Sequence, residues 1–250
     1  MINRNKSDRI IVNLGLVFVM LIFGCGKSFS QQTIINIPSS EMLPAGDIIF
    51  KQSTRFDAFH GDDNFVTLTP TATMGLGHGI EISAGAGTTL DSEATVKGAF
   101  SAKKVFFMGK STRFTVGGTI SPYFSENRSP DSFMFAHVTQ RIKETKTSLT
   151  AGGYVGGRNC FADSGGVIFG VEQVIIRNKL RVALDWASGE NSNGRFGVGL
   201  KYRPTPTLSI TSAVIIPNKD SDNIAFNISV SKFISLDDEN PIKRRLKNVD

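Results

Sequence analysis

Between residues 47 and 234, apolar side chains alternate one by one with polar or small ones, in stretches closed by turn-forming residues. The clearest stretch puts Phe196, Val198, Leu200 and Tyr202 on one face and Arg195, Gly197, Gly199, Lys201 and Arg203 on the other. A period of two belongs to an extended strand, whose successive side chains point to opposite sides of a sheet. Each such stretch needs strand neighbours for its backbone groups and an apolar medium for one face. No other feature narrows the possible folds as much.

The alternation predicts twelve strands, at 47–58, 64–76, 79–89, 94–107, 112–124, 132–144, 147–159, 165–176, 180–188, 194–203, 207–217 and 223–234. In the second, Val66, Leu68, Pro70, Ala72, Met74 and Leu76 oppose Thr67, Thr69, Thr71 and Thr73. In the last, Ile224, Phe226, Ile228 and Val230 oppose Ala225, Asn227, Ser229 and Ser231. A soluble sandwich shows the same alternation with its apolar faces inward. Length argues against it, because strands of globular proteins average about five or six residues. Crossing a bilayer takes roughly nine to eleven.

The connections carry a second pattern. Longer ones (His60 to Asp63, Ser125 to Asp131, Cys160 to Ser164, Glu190 to Asn193, Asn218 to Asp222) alternate with tight ones. The tight set is Gly77-His78-Gly79, Gly109-Lys110-Ser111, Thr145-Lys146, Arg177-Asn178-Lys179 and Pro204-Thr205-Pro206. An even strand count and alternating turn lengths belong to an all-β, antiparallel, up-and-down barrel with both termini and the tight turns on the periplasmic rim. Phe56, Phe106, Phe124, Phe161, Tyr202 and Phe233 fall near strand ends, where aromatic girdles sit.

On these features residues 37–234 resemble bacterial outer-membrane β-barrel proteins of the porin-like type. The resemblance rests on pattern and not on a diagnostic motif. It implies a location in the outer membrane of the cell envelope, contact with outer-membrane lipid, and insertion by the barrel-assembly machinery.

The ends fit that location. Residues 1–30 read as a signal peptide, with Asn3, Arg4, Lys6 and Arg9 ahead of an apolar run from Ile10 to Phe23 and small residues at Ser28 and Ser30. Ile22-Phe23-Gly24-Cys25 also partly resembles a lipobox, which would leave Cys25 as a lipid-modified N-terminus; Phe23 departs from that motif. Residues 1–30 hold half of the chain's net charge of +6, so a nucleic-acid reading from charge fails. Only Cys25 and Cys160 are present, so cleavage after Ser30 leaves no disulfide. Residues 31–46, with Ile37-Pro38-Ser39-Ser40 and Leu43-Pro44-Ala45-Gly46, read as an extended periplasmic lead-in, similar to the entry segment of several outer-membrane barrels. Residues 47–234 form the barrel. Residues 235–250, with Asp237-Asp238-Glu239 against Lys243-Arg244-Arg245, read as a solvated periplasmic tail.

Placing the polar faces inside gives a lumen richer in bases than acids. Lys51, Arg55, Lys97, Lys103, Arg113, Arg141, Lys143, Arg158, Arg181, Arg195, Lys201 and Arg203 point inward, against Asp57, Glu81, Glu172 and Asp185. Rings of Arg and Lys favour anions in pores, so the first reading is a narrow channel or binding pore for small anionic solutes. The second is an accessory envelope barrel, its lumen closed by ion-pair networks among these residues. A soluble secreted β-sandwich that binds a ligand is a more distant third. Lys104 falls on the outer face in this register, which suggests a slip near the end of the fourth strand.

An enzyme is not expected. Of the three histidines, His60 falls in a loop, His78 in a tight turn and His137 within a strand beside Phe133, Phe135 and Thr139. None belongs to a Ser/His arrangement like that of outer-membrane phospholipases. No spacing suits a metal or a cofactor. The glycine pairs at 152–153, 156–157 and 165–166 suit bulges and close strand approach.

Overall fold

The computed structural model describes residues 33–58, 65–90, 95–124, 129–158, 164–190, 193–219 and 224–235. The signal peptide, the lipobox-like Cys25, His60, Cys160 and the charged tail from 236 onward lie outside these.

Twelve strands form one sheet: β1 Asp47–Ala58, β2 Phe65–Gly77, β3 Ile80–Leu90, β4 Thr95–Phe107, β5 Thr112–Ser121, β6 Asp131–Ile142, β7 Thr147–Arg158, β8 Ser164–Ile176, β9 Leu180–Ala187, β10 Arg195–Thr205, β11 Leu208–Pro217 and β12 Ile224–Ser235. Every strand pairs antiparallel with its sequence neighbours, and β1 pairs with β12 from Asp47↔Ser235 to Ala58↔Ile224, closing the barrel. This excludes the sandwich, which needs two facing sheets. Closure leaves no open sheet edge, so each strand satisfies its backbone groups on both sides.

The faces follow the alternation. Outside, Phe100, Phe106, Ile120, Val155, Phe169, Leu200 and Tyr202 stand exposed, and similar side chains cover the other strands. An apolar surface that encircles a protein is the mark of a surface made for lipid. Inside are the threonines of β2, Arg113 and Thr115 of β5, Asp185 of β9 and Lys201 of β10. Phe233 pairs with the inward Ile49 and lines the lumen, so it takes no part in an outer girdle.

The rim where β1 begins and β12 ends, here the near rim, also carries the tight turns. Left-handed backbone makes them possible: Gly77, His78 and Gly79 have φ of 82°, 50° and 78°, and Lys146 and Asn178 have 57° and 59°. Such residues give two-strand turns the twist of the strands they join. The connections at the opposite rim lie largely outside the described residues.

Two strand details differ from expectation. β5 stops at Ser121 because Pro122 has no N–H for the ladder; pairing resumes as a single bridge between Tyr123 and Lys97. Lys104 does lie outside with no register slip, paired with Ile80 and Val116. Its ammonium reaches the His78 carbonyl in the near-rim turn and lies 5.4 Å from the centre of the Phe106 ring. A long basic side chain can therefore start on the apolar face and carry its charge to the rim.

The largest departure concerns residues 33–46. They do not run through the periplasm as a free lead-in; they fold back into the lumen as a plug. Ile34, Ile35, Ile37 and Leu43 are buried, and each such side chain gains about 1.5–3 kcal/mol on leaving water. A solvated lead-in would forfeit that.

If the outward face meets lipid, Phe100→Arg at the middle of β4 should destabilise the barrel in vesicles by about 2–4 kcal/mol. The check is denaturant unfolding in lipid vesicles; a change within about 0.5 kcal/mol, typical of an exposed site on a soluble protein, would contradict the assignment.

Candidate functional site

The plug is a short reversal of chain. Thr33 bridges Pro38, and the Ile34 N–H donates to the Ile37 carbonyl at 2.9 Å. From there the chain runs to the near rim, where Gly46 N–H donates to the Gly75 carbonyl and β1 begins. Four sets of wall residues hold it.

At the tip, Asp185 of β9 is wrapped by three successive backbone N–H groups. Ile35, Asn36 and Ile37 donate to its Oδ2 at 2.8, 2.6 and 3.0 Å, and the Asn36 side-chain amide donates to Oδ1 at 2.9 Å. Successive N–H groups in a tight turn make a concavity that binds an anion. Here the anion belongs to the wall.

Around the tip lies an apolar layer. Ile34, Ile35 and Ile37 cluster with Phe135, Tyr154, Ile168, Ala183, Ala187, Ala213, Ile215 and Ala225. These wall residues occupy inward positions, where a water-filled pore would carry polar groups. Phe133 stacks on Tyr154 at 5.4 Å between ring centres, extending the layer across β6 and β7. Inward glycines leave the space: a Cβ at Gly197 would lie 2.4 Å from Asn36 Nδ2 and 2.6 Å from Asp185 Oδ1. One at Gly75 would lie 2.1 Å from the Pro44 carbonyl oxygen.

Lower down, Lys103 of β4 and Glu81 of β3 form an ion pair of 3.1 Å with both side chains fully buried. The Lys103 ammonium also donates to the carbonyls of Ser39 and Glu41 at 3.0 and 2.7 Å, and Glu81 Oε2 accepts the Leu43 N–H at 3.2 Å. A buried pair is tolerable only when its remaining donors and acceptors are satisfied, and the plug satisfies them. Beside it, the Ser40 hydroxyl lies 2.8 Å from Thr115 Oγ1 and 2.7 Å from Thr139 Oγ1, while Arg113 donates to the Ser40 carbonyl at 3.0 Å.

The fourth contact is ionic. Glu41 reaches inward-facing bases of β9 and β10, with Oε1 on the Arg181 guanidinium and Oε2 3.6 Å from the Lys201 ammonium. Burial would raise the Glu41 pKa, but the positive charges of Arg181, Lys201 and Arg203 outweigh it and hold the carboxyl well below the usual range. Glu172 of β8 stands 4.0 Å from Arg181.

Below the plug, toward the near rim, is a cavity of about 780 Å³. Its charged lining is mostly basic: Arg113, Arg141, Lys146, Arg177, Lys179, Arg181 and Arg203, against Glu41, Asp47 and Glu172.

The expected pore-lining residues thus divide by height. Glu81, Arg113, Arg181, Lys201 and Asp185 touch the plug, and Arg141 and Glu172 line the cavity with Arg113 and Arg181. Lys51 borders a small void of about 50 Å³ beside Lys201. Toward the far rim, Arg55 pairs with Asp57 at 2.5 Å, and Lys97 pairs with Asp131 at 2.5 Å. Arg195 pairs in register with Ala187 and Pro217. Arg158 is opposite Asp131 in the sheet. Sequence reasoning missed Glu41, Ser40 and the backbone of 35–37. The signal was present in three isoleucines within a supposedly solvated segment, and in apolar side chains at inward positions.

His137 is buried inside, stacked on Phe135 with ring centres 5.6 Å apart, and its Nδ1 is 3.5 Å from Thr139 Oγ1. It belongs to the wall behind the plug. Among the described residues no group of His, Cys, Asp and Glu is arranged to hold a metal ion.

Removing the tip anchor should free the plug. Asp185→Ala deletes an ionised acceptor whose hydrogen bonds are worth about 1.5–3 kcal/mol each. Maleimide labelling of Ser39→Cys, in a Cys160→Ser background, should then speed up by at least about tenfold. Unchanged labelling would show that Asp185 does not retain the segment.

No protein-family model matches the chain, and no curated protein matches it in sequence. Solved structures do match its fold. The KdgM porin in complex with disordered oligogalacturonate superposes with a TM-score of 0.54 at 9% identity, over 74% of this chain and 98% of that one. The KdgM porin alone gives a TM-score of 0.53 at 9% identity, with the same coverage. An outer-membrane channel from Pseudomonas putida F1 gives 0.52 at 11% identity, over 78% of this chain and 98% of that one. The closed twelve-stranded barrel is therefore a fold shared with bacterial outer-membrane channels.

Proposed function

We propose that this protein is an outer-membrane β-barrel of the channel type, exported by residues 1–30, whose bore is closed by its own residues 33–46. In this reading the near rim faces the periplasm and the basic cavity is a vestibule for small anionic solutes. The observation that carries it is the plug together with the charge of the cavity beneath it. A wall built only for stability needs no cavity of about 780 Å³ whose charged lining is chiefly Arg and Lys. The low-dielectric wall focuses the field of those charges and raises the local anion concentration. The oligogalacturonate named with the KdgM porin is itself an anion, which agrees with this solute class. The role is binding and passage, without a chemical step.

The accessory-barrel reading keeps one specific support. The plug is anchored by ion pairs and hydrogen bonds from several strands, as expected of a permanent seal. The two readings differ in whether the plug moves.

Planar-bilayer recording separates them. The full chain should conduct weakly, and a variant lacking residues 33–43 should open by at least about tenfold with anion over cation selectivity, as basic rings require. Arg113→Glu in that variant should reduce the selectivity. A deletion variant that stays silent at the same protein density would favour the sealed scaffold. Cation selectivity would contradict the anionic assignment.

A further inference from the structure

Glu41 differs from the other plug anchors in where it stands. Asp185 and the Lys103–Glu81 pair hold the plug through backbone groups deep in the wall, whereas Glu41 offers a free-ended carboxylate to a cluster of bases. Its side chain and that of Arg181 are 26% and 25% exposed, and both line the basic cavity. Arg203 lines the same cavity, and its buried Nε has no hydrogen-bond partner. Lys201 completes the cluster from the inner side at 3.6 Å. A planar fork, a point ammonium and a second guanidinium around one carboxylate form an arrangement suited to carboxylate recognition.

We propose that Arg181, Lys201 and Arg203 form a binding site for carboxylate-bearing solutes, occupied in this structure by Glu41 as a resident competitor. A solute carboxylate that enters the cavity exchanges with that of Glu41, taking the Arg181 fork and the Lys201 ammonium. The adjoining backbone keeps the Ser39 and Glu41 carbonyls on Lys103, the Ser40 contacts and the Leu43 N–H on Glu81, but loses its ionic anchor on β9 and β10. A solute shifts the plug by the difference in its affinity for the two states; the site supplies that difference because Glu41 and the solute cannot share it. Glu172, 4.0 Å from Arg181, sets the charge that remains when Glu41 swings away. The net positive cluster then favours a solute with two carboxylates over one with a single charge.

This inference rests on the basic cavity being open to solutes, as proposed above, but its test needs no conduction. Succinate binding to the full chain in detergent is measured by calorimetry, with glycerol as a neutral control. Each variant is first checked for the gel-mobility change on boiling that a folded barrel gives. Glu41→Gln should bind succinate at least about tenfold more tightly than the unaltered chain, since the competitor has lost its charge. Adding Arg181→Met or Arg203→Met to Glu41→Gln should abolish that gain. Equal binding by Glu41→Gln and the unaltered chain, or a gain that survives either Met substitution, would overturn the assignment. Tight succinate binding with a silent deletion variant in bilayers would refute the channel and leave the site standing. An anion-selective deletion variant with no gain in Glu41→Gln would do the reverse.

Discussion

Closure of the sheet between β1 and β12 governs the rest of this molecule. Once those strands pair, every residue of every strand is either outside or inside, and a period of two decides which. The outside must meet an apolar medium. The inside must be filled, hydrated or lined with matched charges, because polar side chains in a narrow low-dielectric bore are costly when unpaired. Twelve strands enclose more space than their own inward side chains fill, and several of those side chains are glycine, alanine or serine.

The chain meets that requirement with its own residues 33–46. The fit is chemical as well as steric: a wall carboxylate matches three N–H groups of the tip, an apolar layer matches three isoleucines, and a wall base cluster matches Glu41. The excess of lumen bases over acids, which suggests an anion path when read from the strands alone, is partly answered by the plug. What remains positive is the cavity at the near rim, and there the charge faces solvent.

The strands were legible in the sequence because their signal is local and repeated. Arg195 to Arg203 alone shows which face is which, and neighbouring strands with the same alternation fix the register. The inward placement of Asp185, Arg181 and Glu81 followed directly. The plug was not legible in the same way, since its contacts join residues about 150 positions apart, as between Ile35 and Asp185. No periodicity marks a segment of irregular backbone. Its traces were indirect: Ile34, Ile35 and Ile37 in a segment otherwise fit for water, Ile168 and Ile215 at inward positions, and Gly75 and Gly197 where a side chain would have filled the bore. Those exceptions to the polar lumen mark the seat.

Both the closed bore and the occupied base cluster require the plug to be seated in the folded barrel. Ser40 and Thr139 test this most directly, since their hydroxyl oxygens are 2.7 Å apart across the gap between plug and wall. With Ser40→Cys and Thr139→Cys in a Cys160→Ser background, oxidation of the membrane-inserted protein should form an intramolecular disulfide. The reduced form should then conduct more than the oxidised one in planar bilayers. Failure of the two cysteines to cross-link in a correctly folded barrel would show that residues 33–46 lie elsewhere, and the bore would then be open.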